Sequence, residues 1–135
     1  MKYSHYFFYL FLSVFSLQAQ NNFPIVLIHG FMGWGPDEMN GYNYWGGKDD
    51  FVHALENKGH VVFEVSVGPV SSNWERAIEV YYQLKGGQID YGKGHSIKYN
   101  TIQKPINKNY EGIYPEWSSE NPIHIIAHSM GGQTA

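Results

Sequence analysis

Short apolar runs alternate with polar, glycine-punctuated stretches along the chain, and that alternation predicts its elements. Residues 24–29, Pro-Ile-Val-Leu-Ile-His, form a continuous apolar run, as in a strand buried on both faces of a mostly parallel sheet. The run ends in a glycine-rich loop, residues 30–35. Residues 49–59 read as an amphipathic helix. Acidic residues open it, Phe51, Ala54 and Leu55 share a face, and Gly59 stops it. Residues 60–67 predict a second strand, alternating partway and ended by Gly68 and Pro69. Ser72 is placed to cap a second helix, from Asn73 to about Leu84, with Trp74, Ala77, Ile78 and Tyr81 as its inner stripe. Glycines between 86 and 94 break that helix. Residues 95–118 carry no clear period and predict an extended surface loop with one short turn. A loop of that length in a compact domain is usually functional or tied down by something else. A third apolar run, residues 123–127, predicts the last strand. Strand, helix, strand, helix, loop, strand is an α/β order with crossover connections.

Composition narrows the picture. A length of 135 residues allows one domain, and 43% hydrophobic with 17% aromatic content suits a packed core. A net charge of −3 with no basic block excludes nucleic acid as an expected partner. There is no cysteine, hence no disulfide framework and no thiolate metal site. Residues 1–19 are of different material: Lys2, then an apolar stretch from Tyr6 to Leu17, then Ala19 as a small residue for cleavage. This pattern predicts a secretory signal peptide cut after Ala19, the alternative being a retained amphipathic anchor. The stretch is too short for a comfortable membrane span. Export to the periplasm or the medium is therefore expected, with residues 20–135 as the mature part.

Chemistry concentrates at residues 127–131, Ala-His-Ser-Met-Gly, directly after the last strand. A serine held between small residues where a strand turns sharply into a helix is the form of a nucleophile elbow. The serine takes an unfavourable backbone angle, so the residues two positions away must be small. Ala127 and Gly131 meet that need. The pentapeptide alone is equally compatible with a strand end followed by a helix cap, and its context decides.

That context resembles the secreted bacterial triacylglycerol lipases of the Geobacillus and staphylococcal group. Residues 24–35, 44–47, 67–77, 86–92 and 124–134 match its motifs in order, and an alanine at the first elbow position is the habit of that group. The resemblance implies an α/β-hydrolase fold, here an incomplete one, and hydrolysis of lipid or other carboxylic esters at an oil–water interface. It implies Ser129 as nucleophile, with the backbone N–H groups of Phe31 and Met130 as the oxyanion hole. It also implies zinc, with Glu75 at a ligand position that is often aspartate and His95 at a ligand histidine. The second histidine of relatives has no counterpart in residues 98–103. No cofactor is expected for the chemistry itself, and the calcium found in the family would be held outside these residues. Trp34, Tyr42, Tyr44 and Trp45 either line an acyl pocket or pack the loop on the sheet, with packing favoured for Tyr44 and Trp45.

In this fold the triad acid and histidine follow the serine along the chain. His29, His124 and His128 are accordingly expected to pack or hydrogen-bond, not to act as the base. The expectation is of the amino-terminal part of an exported lipase, itself inactive and poorly soluble when made alone. The alternatives are another secreted serine hydrolase, a phospholipase or short-chain esterase, or a short non-catalytic binding protein.

Overall fold

A computed structural model describes residues 21–135, and the expected signal peptide lies outside the described residues. The elements run β1 (Ile25–Ile28), α1 (Phe51–Glu56), β2 (Val62–Val65), α2 (Asn73–Lys85), β3 (Gly87–Gln88), α3 (Lys93–Tyr99), β4 (Asn109–Tyr110), β5 (His124–Ala127) and α4 (Gly131–Thr134). Three of the strands form a parallel sheet in the order β2-β1-β5, while β3 and β4 make a separate antiparallel pair. In the parallel sheet Ile25 faces both Val62 and His124, and Ile28 faces both Val65 and Ala127.

The central position of β1 explains its continuous apolar run. Val26 and Ile28 point to one face, where they join Val65, Val67, Val80 and Leu84 beneath α2. Ile25 and Leu27 point to the other, with Val62, under Val52, Leu55 and Trp45. Alternation along a strand sends successive side chains to opposite faces, so a strand covered on both sides has no polar face to spare.

The two helices expected from the sequence, α1 and α2, depart from the predicted stripes. α1 is shorter than residues 49–59; Asp50 caps it by accepting from the His53 amide at 3.0 Å. Val52 and Leu55 face the sheet, whereas Phe51 and Ala54 are exposed. In α2, Trp74 and Tyr81 are exposed, and the buried residues are Arg76, Glu79, Val80, Gln83 and Leu84. Hydrogen bonding is the reason. Gln83 accepts from the Ser66 amide at 2.9 Å and donates to the Ser66 carbonyl at 2.8 Å. Glu79 accepts from the Gly68 amide and from the Tyr91 hydroxyl, each at 2.6 Å, and pairs with Lys108. Buried polar groups that have partners are tolerated, and here the partners include the peptide groups of Ser66 and Gly68, just past the end of β2. The start of α2 agrees with prediction, as a reciprocal capping box between Ser72 and Glu75.

Residues 95–118 are not a structureless loop. They finish α3 and supply β4, which pairs Tyr110 with Gly87. α3 gave no sequence signal because it buries only Ser96 and its N-cap, Gly92, has no side chain to cap with. Beyond β4 the chain is fastened to α2: the amides of Ile113 and Tyr114 donate to the carbonyls of Gln83 and Leu84, both at 2.9 Å.

His29, at the end of β1, ties that strand to the end of β2. Its Nδ1–H donates to the Gly30 carbonyl at 2.9 Å, and its Nε2 accepts from the Val67 amide at 3.2 Å. Acceptance at Nε2 requires the neutral ring, with its proton on Nδ1. Burial, aided by the charge of Arg76, holds the imidazole below its ordinary value of 6.5 despite the bond to Gly30.

Two outcomes are expected of the full-length protein. A β-carbon on Gly131 would lie 2.3 Å from the Ile28 carbonyl oxygen and 2.8 Å from that of His29. Gly131→Ala should therefore lower stability by at least about 1–3 kcal/mol in chemical denaturation; an unchanged midpoint contradicts this packing. For His29, the unfolded chain takes up a proton below 6.5 while the folded chain resists it, so stability is full above that value and falls as the solution is acidified through it. Between about pH 8 and about pH 5 the parent should lose more stability than His29→Gln. Equal losses in the two proteins count against the burial of a neutral ring.

Candidate active site

The loops that leave β1 and β5 meet at the carboxyl ends of these adjacent strands, the edge of an open parallel sheet where ligands bind. β5 ends at Ala127, half-buried against the core, and the His128 amide still donates to the Ile28 carbonyl at 3.1 Å. Ser129 then turns left-handed, with φ of +56°. For a residue with a side chain that conformation costs about 1–2 kcal/mol. α4 starts two residues later. Ser129 is exposed, and among the described residues its hydroxyl is engaged by no protein group.

The loop after β1 comes into contact with this turn. A β-carbon on Gly30 would meet the Ser129 Cβ at 2.8 Å and the His128 carbonyl oxygen at 2.9 Å, so the backbone at residue 30 lies flush against the serine. The turn that carries Phe31 is closed by the Gly33 amide, which donates to the Gly30 carbonyl at 3.1 Å. The Met32 amide donates to the Pro69 carbonyl at 2.9 Å, fastening the loop to the end of β2. Among the described residues, the amides of Phe31 and Met130 donate to no protein acceptor. Ser129, Phe31 and Met130 thus fall on two segments in contact, each offering a free backbone donor.

Tyr44 enters this site by a route that its sequence context does not announce. Its hydroxyl accepts from the Gly30 amide at 3.0 Å and lies 2.6 Å from His128 Nδ1. Its ring packs on Trp34 and Trp45, with centroids at 5.2 and 5.4 Å. Packing and lining are not alternatives here. The same aromatics, with Phe51 and His128, bound an open hollow of about 470 Å³. None of the tempting histidines is bonded to Ser129. His29 is buried at the strand end, His128 is bonded to Tyr44, and His124 Nε2 lies 2.5 Å from Asn21.

Glu75 and His95 do come together: His95 Nε2 lies 3.4 Å from Glu75 Oε1. The other carboxylate oxygen accepts from the Ser72 amide at 3.1 Å and the Ser72 hydroxyl at 3.0 Å. Burial works to raise the Glu75 carboxyl, but the bonds from Ser72 and His95 outweigh it and hold it below the usual range. The imidazole is stacked on Trp74 at 6.0 Å and tilted against Tyr99 at 4.8 Å. Among the described residues no three His, Asp or Glu side chains converge as metal ligands. A structural zinc site takes four ligands, and Glu75 and His95 are two groups of the kind it uses, brought together here.

Comparison with known proteins agrees with the geometry. A family model described as the lipase-like, C-terminal domain matches residues 21–135. The chain is 44% identical over 121 residues to a lipase of Staphylococcus epidermidis and, equally, to lipase 1 of Staphylococcus aureus, covering 87% of itself. It spans only 17% of the length of those relatives. Among solved structures it is similar to EstA from Clostridium botulinum, with 53% identity, a TM-score of 0.80, and 84% of this chain and 26% of that one covered. The Staphylococcus hyicus lipase gives 45%, 0.80, 85% and 30%. With strand order, elbow and family match in agreement, the chain belongs to the lipase-like family and carries part of its α/β-hydrolase fold.

Proposed function

We propose that the protein containing these residues hydrolyses carboxylic esters, triacylglycerols foremost, through an acyl intermediate on Ser129. The observation that carries this reading is the left-handed serine lying flush against the loop that presents Phe31. The serine hydroxyl attacks the ester carbonyl and the alcohol leaves, after which water hydrolyses the acyl-serine. Negative charge on the carbonyl oxygen is received by the amides of Phe31 and Met130, whose freedom from protein acceptors supports the assignment. Donors fixed before the reaction are effective because they need no reorganisation as charge develops. The acid and histidine of the triad follow the serine in this fold, so no residue before Ser129 is assigned to either role.

An apolar substrate suits the surroundings. Phe31 and Met32 are each 61% exposed beside the serine, and Val70 is 67% exposed in the loop that Met32 is fastened to. The aromatic hollow adds a further apolar surface on the His128 side. Export through the apolar segment in residues 1–19 is part of the same proposal; among the described residues no helix is long and apolar enough to cross a membrane.

In the full-length protein, Ser129→Ala should lower kcat/KM for a p-nitrophenyl ester by at least about a thousandfold. Near-parental hydrolysis by that variant would sink the reading. Across an acyl series, long chains should exceed acetyl; the reverse order would point to a short-chain esterase. Ser129→Gly should be equally inactive yet no less stable, gaining up to about 1 kcal/mol as the left-handed strain is relieved. A clear loss of stability would mean that residue 129 is not strained.

A further inference from the structure

Arg76 lies wholly buried in the first turn of α2, and its guanidinium reaches three separate segments. Nη2 donates to the His29 carbonyl, Nη1 to the Gly68 carbonyl at 2.8 Å, and Nε to the Thr134 hydroxyl at 3.0 Å. The Thr134 hydroxyl in turn donates to the Met130 carbonyl at 3.1 Å. His29 stands two residues before Phe31, and Met130 directly follows Ser129. A single planar group therefore links both segments that present the oxyanion donors, while its third contact holds the loop after β2.

We propose that Arg76 is a positioning residue for ester hydrolysis, setting the separation between the Phe31 and Met130 amides. The proposal rests on the reading of Ser129 as the nucleophile. A guanidinium is suited to this task because its N–H groups form a rigid planar fork that fixes the angle between its acceptors. An ammonium is a point charge on a flexible stem and cannot hold three acceptors in one plane. Glu79, one turn along the helix and itself buried, favours the Arg76 charge by its own, although its ion pair is with Lys108; it accepts from the Gly68 amide, on the same residue whose carbonyl Arg76 holds. The close fit of Gly131 against the carbonyls of Ile28 and His29 leaves these segments little other freedom. The guanidinium ties the same two segments together from the α2 side, through the His29 carbonyl and the Thr134 hydroxyl.

The test uses the full-length protein, with active serines counted by a fluorophosphonate probe so that a smaller folded fraction does not register as slower chemistry. Arg76→Lys should lower kcat per labelled serine by about tenfold to a hundredfold, the scale of an ångström of misplacement, with KM little changed. Thr134→Val, which keeps shape and removes the hydroxyl that joins Arg76 Nε to the Met130 carbonyl, should lower it several-fold. Parental kcat per labelled serine in Arg76→Lys overturns the proposal. If Arg76→Lys yields no labelled protein, Thr134→Val decides in the same way. A parent that the probe fails to label at Ser129 overturns the nucleophile reading and this proposal together, whereas a labelled parent with unaltered variants overturns this proposal alone.

Discussion

The structure depends on how closely two backbones can approach at the carboxyl ends of adjacent parallel strands. Gly131 lies so near the carbonyls of Ile28 and His29, and Gly30 so near Ser129, that neither position has space for a β-carbon. The parallel register, Ile28 opposite Ala127, brings those positions level. Once they are level, the chain leaving β5 has to turn within two residues. It does so through a left-handed serine, a conformation that the surrounding contacts impose and local preference opposes. Strain, exposure and, among the described residues, two unpartnered amides then coincide beside one serine.

The stripe that α2 turns toward the sheet keeps this approach in place. Arg76, Glu79 and Gln83 bury charge or amide groups that would each be costly alone, and each is satisfied by peptide groups just past the ends of β1 and β2. Tyr91 extends the network. Burial and the adjacent Glu79 carboxylate raise its hydroxyl well above the ordinary value, so it remains a donor to Glu79. Such a stripe adds little hydrophobic stabilisation. It does fix the loops to one arrangement, because a rigid polar network has few equivalent ways to be satisfied.

The Glu75–His95 pair at the start of α2 has a different character. Glu75 serves the helix cap with one oxygen and His95 with the other, and the imidazole is held between Trp74 and Tyr99. A pair of this kind fastens α3 to α2 by stacking and one hydrogen bond.

The amino-acid sequence by itself determined the buried central strand, the capped start of α2, the positions of the glycines and the small residues around Ser129. Each is a local requirement, of period, of a capping oxygen or of absent volume, and local requirements leave a readable trace. It also carried the family resemblance, because motifs in fixed order survive without knowledge of their contacts. Which face of α2 is buried was decided by tertiary structure alone. Apolar periodicity pointed to Trp74 and Tyr81, while the hydrogen-bond partners that make Arg76, Glu79 and Gln83 the inner residues lie 8 to 58 positions away along the chain. The same holds for Tyr44, whose hydroxyl meets His128 across 84 residues, and for α3, which has neither cap nor apolar stripe to announce it. Hydrogen bonds between distant segments depend on where the chain has already been placed, so only the assembled fold could select them.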